Sequence, residues 1–454
     1  MIYIERKGVP TVSIASAGFE SDTLATCRAF GMPLAPYVVV PDVITAVPPE
    51  RSADSISEQI DGIIRGLTNP AQEVKKEDEG DAENRVPGPD REYSGTGIDA
   101  YLDFNRDYLD RGWGDGFPLF PPTRERVDAI LGGTTLAPDH VVGILPPGMG
   151  IATVEKIATS AAMAGCEPAH LPVLIAGLEA IIKMGSRARQ WLMSTSPDAP
   201  FMMVNGPMVE ELGINTGQCI LGPGRQSRVN IVLGRALRLA LMNVGHNYPT
   251  EMDLDTIGSP NKFSWCGAEP SKNDRWEGFH ESRGFKASES TVTVVGARNV
   301  HDAADLTNYT VEGVLNTVAG GINGGGGYTS YRWSDPDPYD PEGGGGALVI
   351  LSPDHANACK DAGWNKEMVR DYLWGHTRTT AAALQQTFKV NPAFLLPPWK
   401  WVLDLTPEQA ANTVLPAFNN PERIEIASFG GPAGKSMVLM TNGPSQTVKI
   451  TDRT

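Results

Sequence analysis

Several familiar chemistries are absent from this chain. Only five cysteines are present in 454 residues: Cys27, Cys166, Cys219, Cys266 and Cys359. They are odd in number, widely separated and never in a C-x-x-C pair, so a disulfide frame and a paired-cysteine zinc site are both excluded. No apolar run approaches the roughly 18 residues of a membrane helix, and Glu5, Arg6 and Lys7 interrupt the N-terminal apolar residues too early for a secretory h-region. A cytoplasmic location is therefore expected, with no membrane contact. Positive charge is scarce, 38 Lys and Arg against 54 Asp and Glu, for a net charge of −16. That excludes the basic surface nucleic acids require and favours small neutral or cationic substrates, or a protein partner. Neither G-x-S-x-G nor H-E-x-x-H occurs, so serine-hydrolase and zincin mechanisms lack their motifs.

What is present has the order of an α/β protein, with length for more than one domain. The first 70 residues predict strand (Thr11 to Ala15), helix (Ser21 to Phe30), strand (Tyr37 to Val40) and helix (Ser55 to Leu67), a small parallel βαβα unit. Residues 71–97 are charged and nearly free of apolar side chains, and read as an acidic flexible linker. Residues 98–454 form the larger α/β domain, expected to hold the substrate site. Its strands are predicted at Val141 to Leu145, Phe201 to Val204, Thr291 to Val295 and Ala347 to Leu351. Helices are predicted at Thr153 to Ala164, Val173 to Met184, Arg228 to Met242, Asp302 to Val318 and Lys366 to Trp374. The alternation predicts a mixed sheet covered by helices, with a C-terminal β-hairpin over Ile424 to Ile450 closing an edge.

Four stretches carry candidate chemistry. In PPGMGIATVEKIATSAAMAGCEP, Glu155 sits in a first helical turn, either as a structural carboxylate or at the carboxyl edge of the sheet, and Cys166 is either an apolar filler or a thiol with chemistry. The helix from Arg228 is apolar on most sides yet carries Arg235 and Arg238, anchors for an anionic substrate or partners of internal carboxylates. Asn205 precedes it and His246 follows it, both in polar turns. The stretch KFSWCGAEPSKNDRWEGFHESRGF brings Cys266, Glu269, His280 and Glu281 into sixteen residues. Thiolate, imidazole and carboxylate are the ligands of zinc or another transition metal, and equally the parts of an acid/base or activated-thiol site. Finally, Gly320 to Ser330 and Glu342 to Gly346 are glycine clusters without a following Lys-Ser/Thr, which favours a substrate-facing loop over a phosphate cradle. The remaining histidines stand alone and read as caps or satisfied core groups.

IERKGVPTVSIASAGFESDTLATCRAFGMPLAPYVVVPDVI resembles the UGSC-type (seleno)cysteine proteins, in which a helix ends at E-x-x-G-I/V-P-T-V and a later strand ends in V-V-P-H. The layout is distantly similar to the selenoprotein subunit of glycine, sarcosine and betaine reductases. ATVEKIATSAAMAGCEPAHLPVLIAGLEA, VNGP, LGPG, NIVLGRALRL and Trp276 to Phe285 resemble the larger domain often joined to such segments. The U/C-G-S-C segment is itself absent here, and Asp42 stands where the pattern has His. The resemblance implies a low-pKa thiolate or selenolate that breaks a C–N, C–S or C–halogen bond, here brought by a second subunit to a composite site in which Glu155, Cys166, Cys266 and His280 take part. It also implies either a split between subunits, with the N-terminus at an interface and Ile2 and Ile4 covered, or loss of the redox half, and a higher oligomer is an open expectation. The competing expectation is a self-sufficient metal-dependent lyase or hydratase using Cys266, Glu269, His280 and Glu281. A non-catalytic assembly protein is the third.

Overall fold

A computed structural model describes residues 2–5, 7–44, 47–69, 91–273, 275–308, 310–324, 345–389, 392, 395, 397–418 and 420–452. The N-terminal unit runs α1 (Ile2–Glu5), β1 (Ser13–Ser16), α2 (Glu20–Ala29), β2 (Tyr37–Val40), α3 (Pro49–Ser57) and α4 (Ile60–Thr68). β1 and β2 pair in parallel, Ser13 opposite Tyr37 and Ser16 opposite Val40, the expected βαβα order. The single helix expected from Ser55 is two, with α4 starting afresh at Ile60. Gly62 and Gly66, one turn apart, let α4 lie close to the strands: a Cβ at 66 would stand 2.5 Å from Val12 Cγ2. The opposite face of α4 turns Ile60, Ile64 and Leu67 outward, each at least 43% exposed. Ile4 is 44% exposed in the single chain, so the expected cover is not supplied by this chain; the side chain of Ile2 is outside the described part.

Most of the expected linker, and the glycine-rich stretch 325–344, lie outside the described residues. The body begins by Tyr93, whose hydroxyl donates to Asp107 Oδ2 (2.7 Å) and whose ring meets Phe104 edge-on. It continues with α5 (Gly97–Asp110), α6 (Arg124–Leu131), β3 (Val141–Leu145), β4 (Gly150–Thr153), α7 (Val154–Ala164), α8 (Leu171–Met184), α9 (Ser186–Leu192), β5 (Ala199–Asn205), α10 (Met208–Glu211), α11 (Arg228–Asn243), β6 (Cys266–Ala268) and β7 (Thr291–Ala304). Then come α12 (Val311–Gly324), β8 (Gly345–Leu351), α13 (Pro353–Asp361), α14 (Lys366–His376), β9 (Arg378–Thr380), α15 (Ala381–Phe388), α16 (Pro407–Asn412), β10 (Val414–Pro416), β11 (Ile424–Ser428), β12 (Lys435–Asn442) and β13 (Gln446–Lys449). Gly320, Gly321 and Gly324 thus end a helix, not a loop.

The main sheet is mixed, in the order β11-β8-β12-β7-β5-β6, with β13 beside β7. β11 is parallel to β8 and β5 to β6, while the other pairings are antiparallel. The C-terminal strands belong to this sheet but form no hairpin. β11 and β12 flank β8 on opposite sides, and β12 and β13 run end to end along one edge of β7. Length explains it: β7 has 14 residues, so β5 covers its first half on one side while β13 and then β12 cover the other.

Alternation along the strands builds two layers. Met202, Val204, Val292 and Val294 face a core made by α7, α8 and α11, and Val349, Leu351, Val438 and Met440 face one made by α12, α13 and α14. The other parity, Phe201, Met203, Val295, Leu348, Ile350, Ala427 and Leu439, points inward with Trp265, Phe279 and Phe429. This inner surface is concave. The sheet curls until its edges approach, Glu269 just past β6 accepting a hydrogen bond from the Ser428 N–H on β11 at 2.8 Å. Among the described residues no single helix is long and apolar enough to cross a membrane.

The N-terminal unit meets the body through α2. Ser21 donates to the Thr250 carbonyl (3.0 Å), and Arg189 of α9 donates to Thr26 Oγ1 (3.3 Å) with its guanidinium 4.2 Å from the Phe30 ring. Burial raises the Asp22 carboxyl to about 6, against the attraction of Arg189. A carboxyl whose folded pKa lies above its unfolded value adds stability in its protonated form, which is lost as pH rises through the folded pKa. Docking of α2 is therefore expected to weaken between about pH 4 and 6. Hydrogen exchange of α2 across that range checks this, with Asp22→Asn removing the pH dependence.

Candidate functional site

The expected acid/base and thiol groups are dispersed. Glu155 follows the N-cap Thr153, which accepts from Lys156 N–H, and its exposed carboxylate pairs with Arg124 at 2.6 Å. The strand directly before it, β4, forms a separate two-stranded sheet with β3 among the described residues, so Glu155 does not stand at the carboxyl edge of the main sheet. Cys166 is buried in the core of α7, α8 and α11, with its thiol on the Val232 carbonyl, and burial pushes it up to about 12. Cys266 lies in the same core; burial, then the neighbouring Cys166, raises its thiol further. Burial likewise takes Cys359 to about 12. Such thiols are apolar filler held in the protonated form. Cys219 is the exposed cysteine. A thiol reagent is therefore expected to label about one cysteine per native chain quickly and five in denaturant, as counted by mass spectrometry.

The expected metal ligands do not converge. Cys266 and Glu269 are three apart along an extended segment, so they face opposite sides of the sheet: Cys266 toward the helices, Glu269 into the concave interior. Among the described residues, no three His, Cys, Asp or Glu side chains gather as metal ligands. The Glu281 carboxylate instead accepts from its own loop, at Gly278 N–H.

Both arginines of α11 are internal partners. Arg235 makes a bidentate pair with Asp115 (2.7 and 2.9 Å) and reaches the carbonyls of Phe117 and Pro118. Arg238 donates to Asn247 Oδ1 (2.6 Å) and Asp253 Oδ2 (3.0 Å), and Lys262 joins Asp253 to Asp255. Their donors are spent within the fold, which favours the internal-carboxylate alternative over an anion anchor. His246, at φ 56°, is exposed, with its ring parallel to that of Tyr248.

The structure does bring Asn205, Glu269 and His280 together, at the polar end of the concave interior. Glu269 accepts from Asn205 Nδ2 (2.7 Å), Phe279 N–H (2.6 Å) and Ser428 N–H (2.8 Å), tying the ends of β5, β6 and β11 to the loop before His280. His280 is buried; burial lowers its pKa, while Glu281, Glu269 and the Lys286 backbone favour its charge and Lys366 opposes it. Around them stand residues absent from the sequence-derived candidates. Thr291 pairs with Asn205 across β5 and β7, Thr293 meets Thr447 hydroxyl to hydroxyl (2.9 Å), and Glu425 accepts from Arg283 and Ser445. Several polar atoms here are buried without a partner among the described residues, including Asn205 Oδ1, Thr291 Oγ1, Glu425 Oε2, Ser428 Oγ and both ring nitrogens of His280.

An open pocket of about 390 Å³ lies where the chain leaves β5 and β6, lined by Val209, Glu210, Ile214, Gln226, Pro270 and Ser271 among others. Regions beyond the carboxyl ends of parallel strands are where α/β sheets receive ligands. Glu210 is its charged wall, fixed by the Ser271 hydroxyl. In the N-terminal unit, Asp42 is held by Arg51 in a bidentate pair and by the Ser55 hydroxyl, so the residue in the expected His position is an ion-pair partner.

No curated protein matches the chain. The model of the UGSC family matches residues 1–69, so the likeness to that family rests on the N-terminal βαβα unit.

Proposed function

We propose that this chain is the large subunit of a heteromeric, thiol- or selenol-linked enzyme that cleaves a C–N, C–S or C–halogen bond of a small organic molecule. The observation that carries the reading is a UGSC-type unit joined to a body whose buried thiols are all protonated core residues. The nucleophile is then a thiolate or selenolate on a second subunit, as in the related selenoprotein-containing reductases. This chain contributes the pocket beyond β5 and β6, and His280, buried at the polar end of the curled sheet, is the acid/base candidate. The uncovered Ile4 and the outward Ile60, Ile64 and Leu67 give the partner an apolar surface on the same unit.

Affinity capture of the tagged full chain from its native cells tests this. A co-purifying protein with an accessible Cys- or Sec-containing helix start, whose alkylation stops turnover, is the expected result. A monodisperse homomer that turns over substrate with all five cysteines replaced overturns it.

A further inference from the structure

We propose that the polar end of the curled sheet holds one small cation, an alkali ion or the ammonium group of an organic molecule, beside Glu269, Asn205 and Thr291. The Glu269 side chain is 1% exposed, and among the described residues it has no ion pair. Its partners are one carboxamide and two backbone N–H groups, all neutral. A carboxylate so far from water is costly without a compensating positive charge. None of the cationic groups nearby bonds to Glu269: Lys366 Nζ and both ring nitrogens of His280 are buried without a hydrogen-bond partner among the described residues, and burial disfavours the charged form of His280. Arg283 is spent on Glu425 and Ser445 and lies 4.8 Å from the Phe279 ring, while Lys366 Nζ sits 6.0 Å from the same ring.

The unmatched atoms next to Glu269 have the chemistry such a cation needs. Asn205 uses its Nδ2 on Glu269, which leaves Oδ1 as an acceptor with nothing to accept among the described residues, at 1% exposure. Thr291 is its register partner on β7, completely buried, with Oγ1 also unmatched. Cross-strand pairs on one face of a sheet place their side chains about 5 Å apart, so a carboxylate, a carboxamide oxygen and a hydroxyl border one small space. Buried polar atoms are nearly always satisfied, and oxygens of this kind suit hard cations and ammonium groups, not thiophilic metals. The site is thus distinct in chemistry from the sulfur-containing set expected from sequence. It is built by this chain alone and stands apart from the question of a partner subunit.

The test is thermal unfolding of the purified full chain at equal ionic strength in choline, sodium, potassium, ammonium and methylammonium chlorides. At least one of the smaller cations is expected to raise Tm by about 2 °C over choline. Sodium or potassium responding marks an alkali site, and ammonium or methylammonium alone marks an ammonium site. Thr291→Val should abolish the difference while keeping the choline Tm within about 1 °C, and Thr291→Ser should retain it. Equal Tm in all five salts overturns the proposal, as does a difference that survives Thr291→Val. Crystals soaked in rubidium or thallium that show ordered water alone between Asn205 and Thr291 overturn its alkali form, and with no ammonium response the whole.

Discussion

Replacing Glu269 with Ala is expected to lower the unfolding free energy by about 3–5 kcal/mol. The reason is the number of separate segments one carboxylate satisfies. Asn205 on β5, Phe279 in the loop before His280 and Ser428 on β11 would each keep a buried N–H donor with no acceptor, and such donors cost about 1–3 kcal/mol apiece. Relaxation and water entry recover part of that, which sets the lower figure. Because β6 and β11 are opposite edges of the sheet, the loss should be concentrated at the closing of the curl. Urea unfolding with hydrogen exchange checks both: the variant should unfold at a lower urea midpoint and should lose protection first at β11 and the segment before His280. A loss under 1 kcal/mol would mean that Glu269 does not brace the closure.

Arg238→Ala is expected to cost about 3–5 kcal/mol as well, with substrate KM changed less than threefold in any assay of the assembled enzyme. Burial opposes the charge of Arg238 and Asp253 sustains it. Removing the guanidinium leaves Asn247 Oδ1 and one oxygen of Asp253 without their donors, in a network where Lys262 still bridges Asp253 and Asp255. Chemical denaturation measures the stability, and kinetics at a temperature where the variant is folded separates it from binding. A rise in KM of tenfold or more at unchanged stability would restore the anion-anchor alternative.

The local parts of this fold were legible in the sequence, and the long-range parts were not. β3 and β2 follow the predicted ranges, and α7 and α11 differ by a residue at an end, because hydrophobic periodicity and caps such as Thr153 are local signals. The helix expected from Asp302 failed at its start: β7 runs on to Ala304 because β12, more than 130 residues later, pairs with it there, and helix begins only at Val311. Tertiary pairing overrode propensity at those residues. His170 behaved as expected of a lone histidine, its Nδ1 accepting from Glu167 N–H at a helix start. The candidate cluster Cys266, Glu269, His280 and Glu281 was compact in sequence, yet strand parity divided it. Thr291, Thr293 and Thr447 gave no signal, since threonine is an ordinary strand residue and only the curl of the sheet shows which face is enclosed.

The position of β12 also governs when the protein can fold. β12 lies between β7 and β8, yet it is synthesised after every other strand of the main sheet except β13. Until it is made, β7 and β8 have no common neighbour, and no continuous sheet joins the half built from β8, β11, α12, α13 and α14 to the half built from β5, β6, α7, α8 and α11. The earlier half can begin to bury its helices once β7 has emerged, whereas β8 must hold Val349 and Leu351 without a strand on one side. A nascent chain ending before Lys435 should therefore protect the first half alone. Closure of the sheet, and with it the bond from Glu269 to Ser428, is then a late folding step that depends on contacts far apart in sequence and exposes the chain to chaperones for longer than its helix content suggests.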